Sequence, residues 1–172
     1  VLDRTKEAGS IGEPLYLDIV SALSDTCINI VGGRYGLSSK DTTPAQIKAV
    51  YDMLNGKLKN NFTIGIEDDV TNLSLPYDKD FKTSTSDELL IYGYGSDGMV
   101  SASKSIIKLV GSKTNKYVQG YFEYDSKKSG GVTVGHLRFN NEIIKSTYYV
   151  NNPSFVVCTK DGYLDKYEVI DN

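Results

Sequence analysis

Apolar residues recur along this chain in two rhythms, one helical and one alternating. Leu15, Ile19, Ala22 and Leu23 keep helical spacing after Glu13-Pro14, and Ile47, Val50, Tyr51 and Leu54 keep it after Thr43-Pro44. Proline suits the first helical turn in both places, Thr43 is a natural N-cap, and Asn55-Gly56 is a stop. Ile28-Asn29-Ile30-Val31 reads as a short buried strand stopped by Gly32-Gly33, and Phe62-Thr63-Ile64-Gly65-Ile66 alternates as another. The opening Leu2–Glu7 is polar, with charges of both signs. Helix, strand, helix, strand in that order implies parallel pairing in an open α/β sheet.

From Val70 to Glu88 the chain is polar and carries no long periodic segment, so it reads as a linker. The expected division is residues 1–70, a linker at 71–87, and a second lobe at 88–172. That lobe opens with the apolar run Leu89–Tyr92, a turn with Gly93, Gly95 and Gly98, and a helix from about Met99 to Val110. Met99, Val100, Ala102, Ile106, Ile107 and Val110 are available for its buried face. Tyr117–Tyr124 reads as a strand with Val118, Phe122 and Tyr124 on one face and Gly120 leaving room there. Val132–Phe139 alternates, Leu137 and Phe139 opposite His136 and Arg138. Ile143-Ile144 and Thr147–Val150 suggest a further strand region, Phe155–Cys158 a buried strand, and Asp161–Tyr167 the start of a short helix. The fold expected is α/β: two small lobes, each an open, mostly parallel sheet with flanking helices, the second with additional strands.

Composition narrows the function classes. The chain has 172 residues, 24% of them charged, and a net charge of −3, an ordinary soluble balance that argues against a nucleic-acid surface. No apolar run is long enough to span a membrane. Val1-Leu2-Asp3-Arg4, without Met or a leader pattern, is expected of an internal fragment. Cys27 and Cys158 stand apart in separate apolar surroundings, which disfavours zinc or iron–sulfur ligation and fits a reduced, cytoplasmic setting, or an organelle in a eukaryote. His136 is the one histidine, so chemistry on paired histidines is excluded.

Four stretches carry candidate chemistry. At the turn, the N–H groups of Gly95, Ser96, Asp97 and Gly98 precede a helix start, where an anion is favoured, and Lys104 lies within the first two helical turns. Asp97 puts a negative charge where a phosphate would sit, so a structural turn and a phosphate cradle both stay open. Lys127 and Lys128, with the N–H groups around Gly130-Gly131, read as a small cationic nest or as a solvated hairpin loop. The loop Gly32–Lys40, with three glycines and Arg34, either approaches a ligand or neighbouring subunit or simply connects. Glu67-Asp68-Asp69 cannot converge on one metal from a strand, and is expected at a solvated strand end or against a basic partner. His136 and Arg138 read as polar residues on a strand face, because no carboxylate or nucleophile is placed to work with them.

In combination these segments are specific. Leu2–Glu7, Gly12-Glu13-Pro14-Leu15-Tyr16-Leu17-Asp18 and Gly32–Lys40 resemble the second domain of pyruvate:ferredoxin (flavodoxin) oxidoreductase. Gly93–Gly98, Gln119-Gly120-Tyr121-Phe122, Tyr124–Gly131 and His136–Phe139 resemble the first part of its third, gamma-type domain. The related pyruvate:NADP oxidoreductases share this core, with a flavin reductase fused behind it. Departures exist: Ala8 stands where the family usually has proline, Gly135 where it has serine, and Met99–Lys104 where it has Thr-Val-Gly-Ala-Asn-Lys. Ser103 thus replaces an asparagine, and a ligand contact made by that asparagine would be weakened or lost.

The resemblance implies a multidomain, homodimeric enzyme that decarboxylates pyruvate on thiamine diphosphate with magnesium. It passes electrons through iron–sulfur clusters to ferredoxin, flavodoxin or a fused flavin reductase, and hands the acetyl group to coenzyme A. The thiamine site and clusters belong to domains outside this stretch, so the fragment alone is expected to be non-catalytic. Its implied role is to help bind coenzyme A phosphates through Gly95, Ser96, Asp97, Gly98, Ser103, Lys104, Lys127 and Lys128. The competing expectation is a module that only packs against other domains and the second protomer. A free-standing hydrolase or kinase is disfavoured, since no nucleophile–base pair or Walker pattern is visible.

Overall fold

In the computed structural model, residues 1–67, 70–83, 86–125, 131–167 and 169 are described. The chain forms two units, Val1–Phe81 and Lys82–Asn172. The boundary falls inside the stretch read as a linker. The early part of that stretch packs on the first unit: Thr63 bridges Ser74, the Leu75 N–H donates to the Thr63 carbonyl at 2.9 Å, and Leu75 is buried.

The first unit holds strands β1 (Leu2–Asp3), β2 (Gly33–Arg34) and β3 (Phe62–Thr63), all parallel, in the order β1-β2-β3. The expected strand at Ile28–Val31 is displaced: pairing starts at Val31, whose carbonyl accepts from the N-terminal amine at 2.8 Å, and the ladder runs on through Gly33. Gly32-Gly33 is therefore not a stop, and Ile28 is exposed. Glycine is needed at 33 because a Cβ there would lie 2.2 Å from the Phe62 ring, which fills the core. The polar opening is itself β1. Asp3 is buried, and its carboxylate accepts from the Leu15 and Tyr16 N–H groups, both at 3.1 Å, capping helix α1 (Pro14–Ala22) from another element. β3 stops at Thr63, earlier than expected, and Gly65 beyond it is left-handed at φ 78°.

Helix α2 (Pro44–Asn55) starts as expected, with a reciprocal capping box between Thr43 and Gln46. Its buried face differs from expectation. Ala45, Gln46, Ala49, Val50 and Met53 are buried, whereas Tyr51 and Leu54 are exposed. Small alanines let the helix lie close, so the large apolar spacing misjudges the face. The core is Ala49, Val50, Met53, Phe62, Ile64 and Leu75. Helix α1 buries none of its residues: Leu15 is 48% exposed, against the expectation that it faces the core.

The second unit contains β4 (Asp87–Tyr94), α3 (Met99–Lys113), β5 (Tyr117–Tyr124), β6 (Val132–Asn140) and β7 (Phe155–Cys158), with sheet order β5-β6-β4-β7. The α/β class and the two lobes stand, but here two of the three pairings are antiparallel, β5 with β6 and β6 with β4, while β4 and β7 are parallel. Residues 125–131 are too few for a crossover, so β5 and β6 pair as a hairpin. One sheet face packs on α3 through Ile91, Met99, Leu137 and Phe139, joined by Val100, Ile107, Val110 and Val118. Ala102 and Ile106 are exposed, unlike their expected place in that face, and Ser103 is buried instead. Gly120 does leave room as expected: a Cβ there would meet Ile107 at 2.1 Å.

The other face is covered by residues 141–154, which form no strand, contrary to the pattern at 143–150. Val150 closes a small core there with Leu90 and Val134. β7 lies at the sheet's edge, and Phe155 is 59% exposed, so the strand is less buried than expected. Asp161–Tyr163 is a single 3-10 turn.

Candidate functional site

The turn between β4 and α3 is built as a helix start. Gly98 takes the N-cap in the left-handed region, φ 85°, which glycine adopts without a Cβ penalty. Gly93 lies under the start of α3, and a Cβ there would meet Met99 at 2.4 Å. Gly95, Ser96, Asp97 and Gly98 are all exposed. The Asp97 carboxylate takes the position opposite the helix end. It accepts from the Met99 N–H at 2.8 Å, the Tyr94 N–H at 2.9 Å and the Thr159 hydroxyl at 2.7 Å. Partial desolvation pulls its pKa up, but the hydrogen bond from Thr159 and those from the Tyr94 and Met99 N–H groups outweigh this, and it lies below the ordinary carboxylate value. The first turn of a helix leaves further N–H groups without intrahelical partners, here those of Val100 and Ser101.

Of the other predicted site residues, Ser103 and Lys104 lie further along α3. Lys104 is exposed, and its ammonium stands 5.8 Å from the Phe122 ring centre on β5. Ser103 is fully buried, its hydroxyl without a hydrogen-bond partner and 3.4 Å from where a Cβ on Gly135 would lie. Lys127 and Lys128 lie outside the described residues. A cation absent from the sequence reading lies beside the last residue of β4: the Lys160 ammonium stands 5.4 Å from the ring centres of both Tyr94 and Tyr163. Thr159 and Lys160 follow β7, and the parallel β4–β7 pairing brings them beside Tyr94. That pairing was the missing signal.

The opposite face of the sheet holds a polar cluster that sequence reasoning treated as bland. Cross-strand register puts Glu88 beside Arg138, Leu90 beside His136, and Gln119 and Tyr121 on the far side of β6. Arg138 and Glu88 are both fully buried and paired at 2.5 Å. Arg138 also donates to Gln119 at 3.0 Å and to the Tyr121 hydroxyl at 3.3 Å, and lies over the Tyr148 ring. Burial opposes its charge, but the hydrogen bond to Glu88 and the Tyr121 contacts more than restore it, and its pKa is raised. His136 is stacked between Tyr121 and Tyr149, with ring centres 4.9 and 4.7 Å away. Its Nδ1 accepts from the Val150 N–H at 3.2 Å, which leaves the proton on Nε2, 3.6 Å from Glu123. Burial, then the charge of Arg138, push its pKa down to about 4, so it is neutral near pH 7. A carboxylate is thus placed beside Arg138 after all. Arg138 and Glu88 are sealed at its centre, where Glu88 Oε2, Arg138 Nη2 and His136 Nε2 are buried without a hydrogen-bond partner, and the pairings tie β4, β5 and β6 together.

In the first unit the loop Gly32–Lys40 likewise spends its special residues internally. Arg34 pairs with the buried Glu13 and donates to the Asn61 carbonyl at 3.2 Å. Gly36, Ser38 and Ser39 are left-handed, the two serines at a strain cost of about 1–2 kcal/mol each. Glu67 is exposed and paired with Lys79 at 2.8 Å; the hydrogen bond from Lys79, then its charge, hold the carboxyl below its ordinary value. Residues 68 and 69 lie outside the described residues. Among the described residues no group of three or more His, Cys, Asp or Glu side chains is arranged to hold a metal ion, and no helix is long and apolar enough to cross a membrane.

The family model described as "Pyruvate ferredoxin/flavodoxin oxidoreductase" matches residues 88–172. The whole chain is similar to a pyruvate-flavodoxin oxidoreductase of Trichormus variabilis, 52% identical over 178 residues. It is also similar to a pyruvate:ferredoxin oxidoreductase of Moorella thermoacetica at 48% identity, and to a pyruvate-flavodoxin oxidoreductase of Rhodospirillum rubrum at 45%. Each alignment covers 99% of this chain and 15% of the relative, so the chain spans about one seventh of the length of the curated relatives it matches.

Proposed function

Because the chain belongs to the pyruvate ferredoxin/flavodoxin oxidoreductase family, we propose that it is an internal stretch of an enzyme that oxidatively decarboxylates pyruvate. In this reading the parent enzyme converts pyruvate and coenzyme A to acetyl-CoA and CO2 and passes electrons to ferredoxin, flavodoxin or NADP. It works as a cytoplasmic homodimer whose other domains surround this stretch. Thiamine diphosphate, magnesium and the iron–sulfur clusters are held elsewhere in the parent, since two separate cysteines do not supply the four thiolates of a cluster. The stretch itself contributes no catalytic group.

Its proposed contribution is to bind coenzyme A phosphates at the turn that opens α3. One observation carries this: a glycine turn at the carboxyl end of β4 runs into a fifteen-residue helix whose Val100 and Ser101 N–H groups have no intrahelical partner. Gly95, Ser96 and Gly98 supply backbone, and Lys104 supplies charge along the same helix; Lys127 and Lys128 belong to the proposal from sequence alone. Ser103 is not a direct ligand in this arrangement, because it is fully buried.

A second reading rests on Asp97, whose carboxylate already answers the Met99 N–H. There the turn is complete in itself and the stretch serves only to pack domains and protomers. Binding of coenzyme A and 3′-dephospho-coenzyme A to the parent enzyme, measured by calorimetry for Lys104→Ala and Gly95→Asp, separates the readings. The phosphate role requires several-fold weaker binding in both variants and a smaller difference between the two ligands. Unchanged affinities favour the packing role.

A further inference from the structure

Strand β7 closes one side of the second sheet with a bare, apolar edge. Phe155-Val156-Val157-Cys158 is short but contains no charge or proline, two of the devices by which exposed edge strands avoid pairing with other chains. Among the described residues no strand lies on its far side, and β4 pairs with only one of its edges. Val156 and Val157 reach the cores on the two sheet faces, yet both remain half-buried, and Phe155 is mostly exposed. Parallel pairing is typical of sheets covered on both faces, whereas β7, bonded to β4 in parallel, leaves Phe155 mostly exposed.

The chain leaves β7 through the turn Asp161–Tyr163, where Tyr163 and then Val169 are buried, so it stays on this unit. A further parallel strand beside β7 needs a crossover of about a dozen residues or more, usually a helix. The curated relatives are more than six times the length of this chain, which leaves ample polypeptide for it. We propose that the free edge of β7 is occupied by a strand of the parent polypeptide lying shortly after residue 172, paired in parallel, and that β7 is an interior strand of the complete domain. This rests on the parent being a longer chain and not on what its turn at α3 binds.

Hydrogen–deuterium exchange over residues 155–158 tests it, comparing the full parent protein, this 172-residue chain, and the chain extended by about 40 residues of parent sequence. The expected result is exchange about ten-fold slower in the parent than in the 172-residue chain, with the extended chain matching the parent. Equal rates in parent and short chain overturn the proposal. So does protection found only in the full parent, which assigns the edge to a distant segment. Rates in the short chain that slow with protein concentration, with no change on extension, assign it to a second copy and overturn it too. Should the short chain not fold, Phe155→Lys in the parent decides: an unchanged melting temperature overturns the proposal, and a clear loss supports it.

Discussion

The two units bury comparable elements by opposite means. In the first, three strands of two residues each are held by what lies around them: the N-terminal amine on Val31, Asp3 on the start of α1, Phe62 against the bare Cα of Gly33. In the second, strands of eight and nine residues form long ladders, and a sealed ion pair, Arg138 with Glu88, sits at the centre of one polar cluster. A short ladder depends on single anchor points, whereas a long one tolerates local damage except where charge is buried. The difference predicts where each unit breaks.

The largest effect is expected at Arg138. Arg138→Met strands the Glu88 carboxylate in a dry site and should cost about 3–5 kcal/mol in chemical denaturation of the second unit. Changing Glu88 to Leu as well should recover much of the loss, and failure to recover would mean that the pair is not sealed from water. Acid comes next. With the folded pKa of His136 at about 4 and an ordinary value of 6.5, the unfolded chain binds the proton and the folded chain does not across that window. The second unit should therefore lose stability as pH falls from about 6.5 to about 4 and level off below. His136→Gln, which keeps an acceptor for Val150, should flatten that slope; a melting temperature with the same pH profile would refute the assignment.

In the first unit, Gly33→Ala should displace the Phe62 ring and cost about 1–3 kcal/mol, while leaving the second unit's transition in place. Two transitions moving together would contradict the division. The smallest effect is the cap of α2, where Thr43→Ala should cost about 1 kcal/mol, read from the first unit's melting.

How much was legible follows the same contrast. Elements with strong local signals, the Thr43-Pro44 start, the Gly93–Gly98 turn and the room at Gly120, were visible in sequence. Of the three two-residue strands only Phe62–Thr63 was, because Leu2-Asp3 and Gly33-Arg34 have no periodicity and become strands only through pairing. Glu88 and Arg138 lie fifty positions apart, and only the antiparallel register of β4 and β6 brings them together. Residues 141–154 look like strands because their tyrosines and Val150 face inward, but they cover a face instead of joining the ladder. At the candidate turn, Asp97 was seen as a misplaced charge; that it is the helix cap, tied to Thr159, required knowing that β7 ends there.

That cap has a consequence for any ligand of the turn. Helix α3 already holds a resident counter-ion on a covalent tether, so an incoming phosphate finds only the Val100 and Ser101 N–H groups without intrahelical partners and must compete for the rest. The carboxylate must swing away and give up bonds to Tyr94, Met99 and Thr159 before another oxygen can take them. Affinity at this end of the helix is then a difference between two anions, and anything that neutralises the resident one, whether acid or an asparagine at position 97, tilts the contest toward the visitor.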